Sequence, residues 1–497
     1  MIFFVIRRLA ASFPILLASS LLMFWLVTIS GDPLAALRQS TDPNREQTMA
    51  QLRQNLDLDK PFLERYLGWL QGLVNGDFGL NRDGQEVSVL LSQAAGTTFR
   101  LIILATLASI LLGVVAGVVT SVRQYSSLDY ATTFSAFLFF SLPVFWLAVL
   151  LKEFGAIRFN DYLERPGLST FGIAAVTALT AGLGSALVGG NWRRRGTAAM
   201  GAAAVALGAL VWIDSSDWLS NPGLSAVALF IGAAVIAVLA ALVVAPLSEQ
   251  RVLGTAVLSG VGFIVVSLIL NTWIENIDWW RSGLLLLGAL ALGVGVGAAL
   301  GGEIVRPSAM RAGALAAFGA FTLVGFDRVI SAWEPGRTVA TIGPRTPNLD
   351  EPFWPTFVDF AGHQVLPSIA LALVGFATFA RFTRASMLET LNADYVRTAK
   401  AKGLPNTQVV VRHAFRTALI PVMTVVAISF ATVIEGAVIT ERVFGWSGMG
   451  SLFIEGLEET DPFPIMGFLV IVALSIVLMN ALADIMYAFL DPRIRES

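Results

Sequence analysis

Apolar runs of about 20 residues recur along nearly the whole chain, and each is long enough for a helix to cross the roughly 30 Å hydrocarbon core of a bilayer. That feature excludes most architectures, because in lipid every backbone N–H and C=O needs a partner within its own helix or in a closed barrel. A barrel would show segments of about ten residues with alternating polarity. Here Leu, Val, Ala and Gly stand consecutively, so the chain reads as an all-α polytopic membrane protein. Its 56% apolar and 14% charged residues over 497 positions depart from soluble composition in the same direction.

The pattern predicts twelve spans. Three cover about residues 9–29, 98–121 and 131–151. Six lie in a block rich in Gly and Ala, near 168–189, 196–213, 224–247, 253–272, 283–301 and 312–330, and three more cover 366–386, 416–438 and 465–489. The first run is too long for the apolar core of a secretory signal. It is read as a retained helix with Arg7 and Arg8 on the cytoplasmic side. A polar segment, 30–95, follows it outside, with an amphipathic stretch at 61–76 suited to the membrane surface. Pro143 should kink the third span. The proline-rich loop at 332–365 should lack regular structure.

Loop charge assigns the sides. Arg193, Arg194, Arg195, Arg251, Arg306 and Arg311 outnumber Glu249 and Glu303 in one set of loops in the Gly/Ala block, while the alternate set carries Arg281 against Asp214, Asp217, Glu275 and Asp278. The first set is therefore cytoplasmic, and Trp218, Trp279 and Trp280 fit an interfacial belt on the other side. An even number of spans places both termini in the cytoplasm. Gly293, Gly297 and Gly301 recur every four residues, a spacing that lets another helix approach closely.

Chemistry is mostly excluded. There is no cysteine, so disulfides, thiolate metal sites and cysteine nucleophiles are ruled out. His363 and His413 are the only histidines, and no metal constellation, acid-base dyad or activated nucleophile emerges. Of the charged residues in or near spans, Lys152, Glu153 and Glu303 lie near span ends, where snorkelling suffices. Asp327 and Asp484 are also in or near spans, and Glu435 lies deeper, placed to line a path or pair with a partner subunit. Pro143 and Glu441 are read with Glu435 as candidates for a translocation path or an intersubunit contact.

The most informative segment is polar. Between 381 and 416, Arg381, Arg384, Arg397, Lys400, Lys402, Arg412 and Arg416 stand against Glu389 and Asp394, a cytoplasmic signature. Within it, DYVRTAKAKGLP should form a short helix with one thin face made by Thr398, Ala399 and Ala401. Gly403 should end the helix and Pro405 keep it ended. A second amphipathic piece, TQVVVRHAFRTAL, should lead to a membrane helix starting near Pro421.

DYVRTAKAKGL, with RFTRASMLE before it and VVVRHAFRTALIPV after it, resembles the cytoplasmic coupling loop of permease subunits from bacterial ATP-binding-cassette (ABC) peptide importers. Arg397 and Thr398 stand where the general importer loop has Glu and Ala, while Ala399 and Gly403 match, a combination similar to the dipeptide and oligopeptide branch. SGDPLAAL at 30–37, the stretch 52–79, FSLPVFWLAVLL at 140–151, GHQVLPS at 362–368, ERVFGWSGMG at 441–450 and YAFLDPRIR at 487–495 also resemble that branch.

The resemblance implies a type I ABC importer permease fold of six core helices, with six more inserted. The permease core would occupy 1–156 and 341–497, and the inserted bundle 157–340, either packing beside the transporter or recruiting another membrane protein. A coupling loop at 387–415 would dock on the ATPase through Asp394, Tyr395, Arg397, Thr398, Ala399, Lys400, Ala401, Lys402, Gly403 and Leu404. Hydrolysis would fall to separate subunits carrying ATP and Mg, because none of the four lysines is followed by Ser or Thr as a phosphate loop requires. This chain itself would hold no cofactor and bind no nucleic acid. The implied partners are a second, homologous permease, cytoplasmic ATPases, an extracytoplasmic peptide-binding protein and the lipid of a bacterial cytoplasmic membrane. The implied cargo is di- or oligopeptide, with nickel chelates or oligosaccharides as the family's other branches. Against this stand an ion-driven carrier, which would show buried carboxylates and inverted repeats, and a non-transporting membrane scaffold.

Overall fold

In the computed structural model, which describes residues 2–164, 167–188, 191–216, 218, 222–246, 249–333 and 339–490, every predicted span is helical. Among the described residues, extended pairing is limited to one isolated bridge, Leu80 with Glu86. The main helices are α1 (Ile2–Ser30), α2 (Phe62–Val74), α3 (Val87–Val122), α4 (Ser127–Ser141) and α5 (Val144–Lys152). They continue with α6 (Thr170–Leu187), α7 (Trp192–Ser215), α8 (Ala226–Val244), α9 (Gln250–Ile269), α10 (Trp279–Leu300) and α11 (Gly302–Ser331). The last are α12 (Phe353–Leu391), α13 (Asp394–Ala401), α14 (Phe415–Phe444), α15 (Met449–Glu459) and α16 (Pro462–Leu490).

Among the described residues, ten of these are long and apolar enough to cross a membrane, and eleven if the bent pair Ser127–Ser141 with Val144–Leu163 counts as one span. The expected twelfth, α6, has a shorter apolar stretch, Thr170–Ala186. Its 18 residues still reach about 27 Å. Gly184 lets it lie close to α7, since a Cβ there would stand 2.7 Å from the Ala202 Cβ and 3.0 Å from the Ala198 carbonyl. Parts of the predicted features fall outside the described residues: residues 189 and 247 at the ends of two spans, Asp217 in its loop, 334–338 of the proline-rich loop, and the end of the 487–495 stretch from 491 onward.

Two compact units make up the chain. The first comprises Met1–Ile157, Thr341–Pro344 and His363–Ser497, and the second Arg158–Ala340 and Arg345–Gly362. In the first, α4 and α5 meet at 102°. Pro143 is the cause: it pushes Leu142 out of the helical region, to φ −88° and ψ 129°. The crossing of α3 with α12 depends on glycines, because a Cβ on Gly113 or Gly117 would run into Phe379, Ala380 and Thr383. The segment after α1 folds as expected into short helices. Phe24 and Tyr66 join Leu52, Leu56, Trp69, Val87, Leu91, Phe463 and Met466 in one core, and Ser20 and Tyr66 share a 2.8 Å hydrogen bond.

Before α16, Asp461 is buried and accepts from the Arg82 N–H at 2.6 Å and the Phe463 N–H at 3.2 Å. Burial pushes its carboxyl up to about 6, against the lowering pull of those two donors. The folded chain therefore holds this proton more tightly than the unfolded chain, whose aspartate titrates near 3.8. The resulting stabilisation is complete below that value and is lost as pH rises through about 6. Acidification from neutral pH should raise the Tm of the wild type relative to Asp461→Asn, by an amount worth about 2–3 kcal/mol. Parallel Tm curves across that window would exclude this role.

In the second unit, α10 and α11 cross where Gly293 and Gly297 face the backbone of Gly313, Ala314, Ala309 and Met310, leaving no room for a Cβ. Leu229, Ala233, Phe263, Ile264, Ala289, Ala317 and Ala320 form a core in this unit. The expected irregular loop at 332–365 is corrected in its second half, where α12 begins at Phe353. Pro355 falls in the first turn, where no N–H is needed for helix bonding. Trp354 is held by its Nε1 donating to the Ile274 carbonyl at 2.8 Å, and Phe353 meets Trp279 edge to face at 5.1 Å.

Candidate functional site

The basic segment joins α12 to α14 without slack. Only Asn392 and Ala393 separate α12 from α13, and they turn back on the Glu389 and Thr390 carbonyls. Asp394 in the first turn and Lys400 in the last suit the helix dipole. At the end, the Leu404 N–H reaches the Ala399 carbonyl and the Gly403 N–H reaches that of Lys400 at 3.0 Å, a Schellman closure. Gly403 supplies the required left-handed residue, φ +75°, with nothing within 4 Å of where a Cβ would stand. Its freedom of φ, and not crowding, is what the position demands.

The inner face of α13 is Val396 and Ala399, packed with Met387, Val409, Val410, Ala414 and Ala418. This corrects the reading of Ala399 as part of an outward thin face: one turn of i, i+3 spacing sets it beside Val396, against the chain's own π-helical turn Val409–Ala414. Val396 with Ala399, followed by three valines at 409–411, is the signal in the sequence that points to this seat. The membrane helix also starts earlier than Pro421, which lies inside α14. The Ser386 hydroxyl donates to the Ala418 carbonyl at 2.8 Å and pins α12 to α14 at the same level.

What α13 presents outward is Asp394, Arg397, Thr398 and Ala401, a row at i, i+3, i+4 and i+7. Tyr395 and Leu404 flank it, 45% and 36% exposed, and Lys400 and Lys402 are exposed too. The Arg397–Asp394 pair is 3.8 Å apart and open to solvent, so it neutralises little. Lys400, Lys402, Arg412 and Arg416 form no ion pair with any described residue. A polar cavity of about 210 Å³, lined by Ser121, Gln124, Asn392, Lys400 and Asn406, opens between the end of α3 and α13. The result is a small, rigid, cationic knob with a shallow polar pocket beside it.

The three other candidates lie apart from this knob. Pro143 makes the break between α4 and α5. Glu435 is exposed on α14 and makes no ion pair or hydrogen bond with any described residue. Glu441 is fully buried. It accepts from the Thr98 hydroxyl, from the Gly450 N–H at 2.8 Å and from the Ser451 N–H at 3.3 Å, so it caps α15 from α14. Its carboxylate is used up inside this chain, and a Cβ on Gly448 or Gly450 would collide with it. Lys152 donates to the Val443 carbonyl at 2.8 Å and Asp327 accepts from the Leu224 N–H at 2.7 Å. The side chain of Asp484 lies outside the described set. Among the described residues no three His, Asp or Glu side chains stand together as a metal site.

Comparison with known proteins adds the context. Residues 204–496 match the family described as binding-protein-dependent transport system inner membrane component, and residues 1–86 match its N-terminal region. The chain is 42% identical over 140 residues to the dipeptide transport system permease protein DppB of Escherichia coli K12, covering 28% of this chain and 41% of that protein. It is 24% identical over 495 residues to the oligopeptide transport system permease protein AppB of Bacillus subtilis, covering 99% and 98%. It is also 24% identical over 491 residues to the oligopeptide transport system permease protein OppB of Mycobacterium tuberculosis, again covering 99% and 98%.

Proposed function

Since the chain belongs to the family of binding-protein-dependent transport system inner membrane components, we propose that it is the permease subunit of an ATP-driven importer of short peptides. The observation that carries this reading is the outward row of α13, a capped helix on a rigid seat surrounded by unpaired cations. Such a knob suits a cleft lined by acidic groups on a cytoplasmic ATPase that binds ATP and Mg. Closure of the ATPase pair on nucleotide would move the knob, and α12 and α14 would carry the motion across the membrane. The absence of a phosphate loop in this chain supports hydrolysis on the partner and a non-enzymatic role here.

A second, homologous permease would complete the pathway. Glu435, exposed about two thirds of the way along α14 without a described internal partner, supports a place on the path or at that subunit contact. An extracytoplasmic binding protein would deliver the cargo. The excess of cations in 381–416 supports a cytoplasmic position for α13, with both termini on that side of a bacterial cytoplasmic membrane. Peptide is favoured over nickel chelates or oligosaccharides because the relatives' names specify dipeptide and oligopeptide transport.

The test is reconstitution. The chain, purified with the proteins that accompany it, is placed in liposomes with ATP inside and labelled dipeptide, binding protein and competitor outside. Uptake that requires ATP and the binding protein is expected. Uptake of a nickel chelate in place of peptide would overturn the cargo, and the lack of any associated ATPase would overturn the importer.

A further inference from the structure

The first unit contains a cavity of about 320 Å³ between α3, α4 and α12, lined by Thr120, Thr132, Phe137, Arg381 and Arg384 among others. Its charge is not balanced internally. Asp129 is almost fully buried and is saturated: Arg384 grips it with Nε at 2.8 Å and Nη2 at 3.0 Å, the Tyr125 N–H reaches it at 3.0 Å and the Thr133 hydroxyl at 3.4 Å. Arg381 is therefore left over. Its guanidinium lies over the Phe140 ring at 4.4 Å and the Phe137 ring at 5.6 Å and makes no hydrogen bond or ion pair with any described residue. The Thr132 hydroxyl also has no partner among them. A planar cation with its donors free, a hydroxyl lining the same cavity and no acid among the lining residues make a site for a tetrahedral oxyanion.

Position narrows the anion to one source. Thr120 lies two residues from the end of α3, Thr132 five residues into α4, and Arg381 opens the basic segment. The cavity is thus at the level where a span meets the headgroups. Phe137, which lines it, is 57% exposed, and Phe134 and Phe140 continue that apolar surface along α4. We propose that this cavity binds the phosphodiester headgroup of an anionic phospholipid of the adjoining leaflet, with Arg381 and Thr132 holding the phosphate and the α4 phenylalanines lying against an acyl chain. Its volume is at the low end of ligand cavities, enough for a headgroup and not for a whole lipid. The proposal rests on the membrane-spanning architecture and is independent of the cargo.

Native mass spectrometry of the delipidated full chain, titrated with dioleoylphosphatidylglycerol or dioleoylphosphatidylcholine, tests it. One tight adduct is expected with the anionic lipid. Arg381→Met should weaken it about tenfold, Thr132→Val about threefold, and Arg381→Lys least. Inorganic phosphate in large excess should not displace it. Binding unchanged in both Arg381→Met and Thr132→Val, or equal binding of the zwitterionic lipid, overturns the proposal. Displacement by inorganic phosphate would assign the site to a soluble anion. That result overturns it as well.

Discussion

Tryptophan at both Thr398 and Ala401 should reduce ATP-driven uptake by about 100-fold or more, the scale on which loss of a central docking contact is felt, while the chain still reaches the membrane in normal amount. Both side chains are exposed on the outward row of α13, so bulk there meets a partner and not this chain's own packing. Ala399→Trp is the instructive contrast. It would force an indole between Val396, Val409 and Val410, lowering the amount of folded protein as well as uptake. Gly403→Ala costs only backbone strain, about 1 kcal/mol, because the space around it is empty. Its effect on uptake should be several-fold at most. Uptake and protein level measured side by side separate these outcomes, and a double tryptophan variant that transports within twofold of wild type sinks the docking face.

Glu441 should be the costliest single carboxylate to alter. Replacing it with alanine leaves the Thr98 hydroxyl and the Gly450 and Ser451 N–H groups without their acceptor, a loss of about 4 kcal/mol for three buried donors left unsatisfied. Glutamine should cost much less, since its Oε1 can accept from the Gly450 and Ser451 N–H groups while its Nε2 donates to the Thr98 hydroxyl oxygen. Gly450→Ala should approach the same loss, because the new methyl would meet the Val438 backbone and the carboxylate at once. Thermal unfolding of the purified chain measures this. A Glu441→Ala variant with wild-type Tm would mean that α15 is held by something else.

The spans are legible in the sequence because lipid imposes a length and a composition, and the break at Pro143 and the close approach at Gly293 and Gly297 follow from local stereochemistry. The helical end at Gly403 is legible for the same reason. Other features depend on partners far away in the chain. Thr98 is 343 residues from Glu441 and Asp129 is 255 from Arg384, and no local pattern announces either pairing. Ala399 illustrates a subtler limit: smallness suits both a docking face and a tight internal seat, and only the position of Val409 and Val410 decides between them. The helical start at Phe353 was hidden by prolines that read as breakers but fall where a helix tolerates them.

Pro421 and Glu441 stand 20 residues apart on α14, about 30 Å along the axis. Pro421 removes a backbone bond near the base, so it is the natural pivot. A tilt of about 7° there displaces the Glu441 end by roughly 4 Å, more than a hydrogen bond can stretch. The small helix α15 cannot stay behind: it must swing as the head of the lever, or its cap must open. If the proposed importer works this way, a push of a few ångströms on one side of the membrane would become a stroke of similar size on the other, with α15 as the part that reports it.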